Sequence, residues 1–308
     1  MLRGVIDRPL IVAGPGNAEC ARVIAERTGG DLADTTLRQF PDSEIYLRFD
    51  TPVAGRTVWI VCTLHPAGDK LLPVYFLAAT ARDLGARAVY LAAPYLAYMR
   101  QDSRFHEGEG VTSLYVARLL SSVVDGIVTV DPHLHRYQAL DEVYQIPTRV
   151  VHAAPRIAEW IRAEIENPVI IGPDAESEQW VRAVAAELGC PMLILHKVRR
   201  GDRDVSISPV DAAIESGLHI AWMAVTPVLV DDIVSTARTM IETIAELRRV
   251  APPPPVCIGV HAVFAESAYD DLCAAGAARV ATCNTISHGS NAIDVNDLVA
   301  EAVHSFST

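Results

Sequence analysis

The segment Val228-Leu229-Val230-Asp231-Asp232-Ile233-Val234-Ser235-Thr236-Ala237-Arg238-Thr239 holds the densest chemistry in the sequence. A short apolar run ends in two carboxylates, and small hydroxyl-bearing residues then open a helix. Backbone N–H groups and the dipole at a helix start suit a phosphate, while paired carboxylates accept hydrogen bonds from sugar hydroxyls. The chemistry is therefore that of a phosphorylated-sugar site. A plain strand, Asp turn and Ser/Thr N-cap would use some of the same residues. The paired acids followed by Ser-Thr-x-x-Thr outweigh that reading.

Other reactive residues recur just after short apolar runs. Pro94-Tyr95 and then Arg100-Gln101-Asp102-Ser103-Arg104 follow Ala88–Leu91, Asp131-Pro132-His133 follows Ile127–Val130, and Asp174 follows Val169–Ile171. Lys197-Val198-Arg199-Arg200 and His261 follow two more such runs. In open α/β sheets ligands gather beyond the carboxyl ends of parallel strands, so these residues share one kind of edge. Acids and His that can hold a divalent metal, beside Lys and Arg that can hold phosphates, point to nucleotide or sugar-phosphate chemistry.

The elements that must position them alternate along the chain. Strands are expected at Leu10–Val12, Val58–Val61, Ala88–Leu91, Ile127–Val130, Val169–Ile171, Met192–Leu195, Val228–Val230, Val256–Val260 and Val280–Thr282. Helices are expected at Glu19–Arg27, Leu71–Leu84, Thr112–Val124, Ala154–Glu164, Glu178–Leu188, Thr236–Val250 and Val295–Val303. Continuous apolar strands separated by helices mean parallel sheets covered on both faces, hence a doubly wound α/β fold. A chain of 308 residues exceeds the roughly 250–300 at which single cores stop growing, so two similar halves are expected. The Pro-marked stretch Ile146-Pro147-Thr148 divides them into domains 1–147 and 148–308. Pro252–Pro255 reads as a stiff connector, and no internal repeat is visible.

Composition narrows the function. With 26 basic and 38 acidic residues the formal charge is −12, which repels a phosphate backbone and argues against nucleic acid as a partner. Half of the residues are hydrophobic, as a packed globular protein requires. No apolar run reaches the roughly 20 residues that span a bilayer, so no membrane partner and a cytoplasmic location are expected. The six cysteines are scattered without CxxC pairs and read as reduced core thiols.

The Asp231–Thr239 segment resembles the loop for phosphoribosyl diphosphate (PRPP) shared by phosphoribosyltransferases and ribose-phosphate diphosphokinases. Further segments separate the two. Phe40-Pro41-Asp42-Ser43-Glu44 is similar to the diphosphokinase Phe-Pro-Asp-Gly-Glu, Pro94-Tyr95 with Arg100-Gln101-Asp102 to its Pro-Tyr…Arg-Gln-Asp, and Asp131-Pro132-His133 to its Asp-Leu-His. Pro173-Asp174-Ala175 with Lys197-Val198-Arg199 resembles its Pro-Asp and Lys-x-Arg elements. His261–Phe264 and Thr282–Ile286 resemble its closing strands, so the likeness covers nearly the whole chain.

The resemblance implies two doubly wound domains of phosphoribosyltransferase-like type and transfer of diphosphate from Mg-ATP to ribose 5-phosphate, giving PRPP and AMP. It implies that Asp231, Asp232, Ser235, Thr236, Ala237, Arg238 and Thr239 hold ribose 5-phosphate, and that Arg100, Gln101, Asp102 and Arg104 hold ATP. It further implies that Phe40, Asp42 and Glu44 reach the adenine pocket of a neighbouring copy, which makes the protein a homo-oligomer. His133 and Asp174 are implied near Mg²⁺, and Lys197 and Arg199 on a mobile loop that closes over the reacting phosphates. Phe40 also fits a core aromatic, His133 a core histidine, Arg100 a surface ion-pair partner and Lys197–Arg200 a solvated turn; taken singly, that plain reading wins for Phe40 and His133, and taken together and in order it does not.

The sequence departs from the family at Ser43, where Gly is usual, at Ala237-Arg238, where Gly-Gly is common, and at Ala175-Glu176-Ser177-Glu178, where small residues are common. These departures keep two rivals in view: a catalytically silent homologue that regulates or scaffolds a true synthetase, and a PRPP-using phosphoribosyltransferase.

Overall fold

A computed structural model describes residues 8–195, 197–200, 203–206, 213, 216–250 and 253–306, with the backbone alone for 197–200, 203–206 and 250. The chain divides into two units, Met1–Val151 with Asn296–Thr308, and His152–Val295.

The first unit contains β1 (Leu10–Ala13), β2 (Asp31–Leu32), β3 (Thr35–Gln39), β4 (Ile45–Phe49), β5 (Thr57–Val61), β6 (Ala88–Ala93), β7 (Ile127–Val130) and β8 (Thr148–Val151). Six of these form one parallel sheet in the order β2-β1-β5-β6-β7-β8. Every residue of β5 and β7 is buried, as expected of strands covered on both faces. Its helices are α1 (Ala18–Thr28), α2 (Ala67–Asp83), α3 (Thr112–Ser121) and α8 (Asn296–Phe306). β3 and β4 stand apart as an antiparallel hairpin in which Leu37 pairs with Leu47.

The second unit contains α4 (Ala154–Glu164), β9 (Pro168–Gly172), α5 (Glu178–Leu188), β10 (Met192–Ile194), β11 (Lys197–Arg200), β12 (Arg203–Ser206), β13 (Thr226–Ile233), α6 (Arg238–Leu247), β14 (Val256–His261), α7 (Ala268–Ala274), β15 (Arg279–Cys283) and β16 (Asn291–Ile293). Its parallel sheet runs β10-β9-β13-β14-β15-β16, the same winding as in the first unit. The two halves expected from chain length therefore share a topology that no sequence repeat discloses. β11 and β12 form a separate antiparallel hairpin.

Three differences from the sequence reading have physical causes. β13 extends to Ile233 and so contains Asp231 and Asp232, which the apolar pattern placed after the strand. The helix expected from Thr236 starts instead at Arg238, because Ala237 is left-handed with φ 56°, and it closes in a 3₁₀ turn over Arg248–Val250. The C-terminal helix, assigned by the 147/148 division to the second domain, belongs to the first unit. There α8 packs on α1, β7 and β8 through buried Val299, Ala300 and Val303. Phe306 meets Trp59 and Tyr90 edge-on at ring distances of 5.7 and 5.4 Å. A Cβ on Gly126 would stand 2.7 Å from the Phe306 ring, so the glycine makes room for it. Arg149 lies 5.8 Å from the same ring and donates to the Ser305 hydroxyl.

Candidate functional site

In the second unit the winding reverses between β9 and β13, and ligand crevices form beyond the carboxyl ends of strands at such a reversal. Asp174 follows β9 and the acid pair lies on β13. Asp231 pairs across the ladder with Gly259 and Ile233 with His261. Adjacent strand residues point to opposite faces, and Asp232 is buried while Asp231 is half-buried. The acids also bond the local backbone: Asp232 N–H donates to Asp231 Oδ1 at 3.0 Å and Ile233 N–H to Asp232 Oδ1 at 2.7 Å.

Asp174 caps a 3₁₀ turn, its Oδ1 accepting from the N–H groups of Glu176 at 3.0 Å and Ser177 at 3.2 Å. Ser177 Oγ returns a bond to the Asp174 carbonyl at 2.7 Å. That turn sits tightly on β9, since a Cβ on Gly172 would stand 2.4 Å from Ser177 Oγ. Burial pushes the Asp174 carboxyl above the usual carboxylate range, and the charges of Glu176 and Asp232 add to this. Asp231 is raised further, first by burial and then by the charges of Asp232 and Asp174. Asp174, Asp231 and Asp232 thus lie close enough at the reversal for their charges to interact.

The loop that follows turns sharply. Ala265 N–H donates to the Ser235 carbonyl at 3.1 Å, and Ala237 accepts from Ile241 N–H at 2.9 Å as α6 begins. The N-cap residue Ala237 has no polar side chain with which to cap this helix, and the first turn contains no acid, which leaves its positive end suited to an anion. Thr236 and Arg238 are exposed, while Ser235 and Thr239 are half-buried. His261 is a core residue here: its Nδ1 meets Thr285 Oγ1 at 2.8 Å, and that hydroxyl donates to the Val260 carbonyl at 2.9 Å.

In the first unit Phe40, Asp42 and Glu44 occupy the tip of the β3–β4 hairpin, where Phe40 is 40% exposed rather than a core aromatic. Phe40 N–H donates to the Glu44 carbonyl at 2.8 Å and Ser43 N–H to the Phe40 carbonyl at 2.9 Å. Ser43 takes φ 73°, the conformation that favours glycine. Arg38 lies over both Phe40 and Tyr46, at 4.8 and 4.3 Å from their ring centres, and holds the exposed aromatic upright.

Arg100, Gln101, Asp102 and Arg104 lie on the loop between β6 and α3, with Arg100 and Arg104 exposed and Asp102 buried. The Asp102 carboxylate is turned to Arg136, whose Nε donates at 3.1 Å. His133 lies beyond β7, with its Nδ1 3.2 Å from His135 Nε2, so one ring donates and the other accepts. Lys197 and Arg199 fall on β11, opposite Ser206 and Asp204. Their side chains lie outside the described residues. Sequence reasoning passed over His135, Arg136 and Tyr137; the His-x-His-Arg-Tyr run directly after β7 was the available signal.

Against known families, residues 10–123 match the N-terminal domain of ribose phosphate pyrophosphokinase, and residues 139–298 match the phosphoribosyl transferase domain. A ribose-phosphate pyrophosphokinase of Methanobrevibacter smithii is 31% identical over 300 residues, covering 96% of this chain and 99% of the relative. One from Methanothermobacter thermautotrophicus is 32% identical over 295 residues, with 96% and 99% covered. The crystal structure of phosphoribosylpyrophosphate synthetase from Mycobacterium smegmatis shares the fold at a TM-score of 0.81 and 21% identity, over 97% of this chain and 99% of that one. Domain matches in series and full-length relatives above 30% identity make this chain a member of the ribose-phosphate pyrophosphokinase family.

Proposed function

We propose that the protein transfers the diphosphoryl group of Mg-ATP to the anomeric hydroxyl of ribose 5-phosphate, releasing AMP and forming PRPP. The observation that carries this reading is the second unit's strand reversal, where Asp231 and Asp232 on β13 lead into a helix start with an alanine N-cap and no acid in its first turn. The helix start and Ser235, Thr236, Ala237, Arg238 and Thr239 receive the 5-phosphate, while the acid pair accepts hydrogen bonds from the ribose hydroxyls. Family membership across both units supports making PRPP over merely using it.

Arg100, Gln101 and Arg104 face the ATP phosphates, and Asp102 holds their loop in place. Phe40, Asp42 and Glu44 complete the adenine pocket of a neighbouring copy, which the exposed, propped Phe40 supports. The protein acts as a homo-oligomer in the cytoplasm; among the described residues no helix is long and apolar enough to cross a membrane. Asp174, with its all-oxygen neighbours Asp231 and Asp232, fits Mg²⁺, which prefers oxygen ligands, and His133 is a weaker candidate ligand. Bound Mg²⁺ supplies neutralisation of the charge on the diphosphate as it moves.

In the reaction the anomeric oxygen, its hydroxyl proton passing to solvent, bonds to the β-phosphorus in line with the departing AMP oxygen, whose bond to that phosphorus breaks. Lys197 and Arg199 stabilise the transferring phosphates. Catalysis rests on positioning and charge neutralisation. The test is purified protein with Mg²⁺, ATP and ribose 5-phosphate, followed for AMP and PRPP. Equal amounts of both are expected. Binding of ATP without either product would favour the silent homologue, and PRPP consumption with a base would favour a transferase.

A further inference from the structure

The loop joining β6 to α3 alternates between seated and projecting residues. Met99 and Asp102 are buried, whereas Arg100 and Arg104 stand in solvent on either side of Asp102. A carboxylate removed from water needs a fixed cation, and the Asp102 side chain is only 6% exposed. Arg136, from the connection between β7 and β8, supplies that cation through Nε at 3.1 Å. The same guanidinium lies 5.3 Å from the centre of the Phe105 ring. The next residue adds a third point, Tyr137 OH donating to the Asp102 carbonyl at 3.3 Å. Arg136 and Tyr137 thus grip the loop at Asp102 and Phe105, on both sides of Arg104.

We propose that Arg136 is a positioning residue for the nucleotide site: by neutralising Asp102 and stacking on Phe105 it fixes the segment that presents Arg100 and Arg104 to the triphosphate. This rests on the assignment of those two arginines to ATP. Without Arg136 the Asp102 carboxylate is left buried and unpaired, and the loop leaves its seat to rehydrate it. Both phosphate-binding cations then lose their fixed spacing. Arg rather than Lys is needed, because a planar, weakly hydrated cation can bond a carboxylate and stack on a ring at once.

The test measures Mg-ATP binding by calorimetry without ribose 5-phosphate, together with KM for each substrate, on the full-length chain. Arg136→Gln is expected to weaken Mg-ATP binding tenfold or more and to leave the ribose 5-phosphate KM within twofold. Arg136→Lys recovers part of the loss, and Phe105→Ala, at an exposed position, loses several-fold in ATP affinity with no change in folding. Adding Asp102→Asn to Arg136→Gln restores part of the affinity, since no buried charge is then left unpaired. An Arg136 that touched ATP itself would show no such rescue, and that outcome overturns the proposal. So does an ATP affinity unchanged in both Arg136→Gln and Phe105→Ala, or an equal rise in both KM values. Because binding is read without turnover, a wild-type protein that binds Mg-ATP but makes no PRPP refutes the proposed reaction while leaving Arg136 under test.

Discussion

Replacing Ala237 tests the geometry of the sugar-phosphate loop directly. Ala237 has φ 56° and ψ 7°, is 7% exposed, and precedes the first residue of α6. A left-handed conformation costs an L-residue about 1–2 kcal/mol through its Cβ. Ala237→Gly removes that cost but adds about 0.5–1 kcal/mol of conformational entropy lost on folding. The net expectation is a gain of between about 0 and 1.5 kcal/mol. For domains of this size each kcal/mol moves Tm by roughly 2–4 °C. Ala237→Val goes the other way: a β-branched residue is a marked outlier at positive φ, and overpacking a buried site costs about 1–3 kcal/mol more. Urea and thermal unfolding of wild type, Ala237→Gly and Ala237→Val, in parallel with the KM for ribose 5-phosphate, provide the assay. Glycine is expected to match or exceed wild type in stability and to lower that KM, because a phosphate can then approach the bare backbone. A glycine variant destabilised by more than about 1 kcal/mol, or a valine variant as stable as wild type, would refute a left-handed Ala237 and with it the loop geometry.

Burial raises the carboxyls of Asp231 and Asp174, and nearby charges add to it, those of Asp232 and Asp174 at Asp231 and those of Glu176 and Asp232 at Asp174, so the fold disfavours their charged forms. That cost is absent below the unfolded pKa and grows as pH rises through the folded pKa, so metal-free protein loses stability from acid toward neutral pH. Urea midpoints in a chelator should fall over that window less steeply in Asp231→Asn; parallel slopes would contradict the coupling. Phe306→Ala should cost about 2–3 kcal/mol by emptying the space between Trp59, Tyr90 and Gly126, read as a lower Tm; a change under about 0.5 kcal/mol would mean that α8 does not depend on this ring. Lys197→Ala should reduce kcat strongly while leaving Tm unchanged, since its role is assigned to the transferring phosphates; an unchanged rate removes it from the mechanism.

Much of the architecture was legible because parallel strands buried on both faces leave uninterrupted apolar runs. The ends of α4 and α5 were read to the residue from their helical periodicity. The β3–β4 hairpin was not, because Thr35–Gln39 and Ile45–Phe49 are partly exposed and interleave polar residues, without the continuous run that marks a core strand. The two-residue β2 is too short to leave any pattern. α8 illustrates another limit: its amphipathic spacing declares that one face is buried but not which sheet buries it. At the site the acid pair was legible by type, yet its place inside β13 was hidden because charge looks like a strand end. The Asp102–Arg136 contact spans 34 positions, a separation no local pattern can report.

The attachment of α8 to the first unit sets an order on biosynthesis. Chains leave the ribosome from the amino end, and domains in general fold as they appear. Here residues 1–151 emerge early but lack the helix that covers α1, β7 and β8, which follows the entire second unit in sequence. The unit translated first is therefore completed last, with the apolar groove beside Trp59 and Tyr90 open to water, or to a chaperone, until Phe306 arrives. An amino-terminal fragment cut at residue 151 inherits that open groove permanently and should aggregate unless α8 is supplied as a separate peptide.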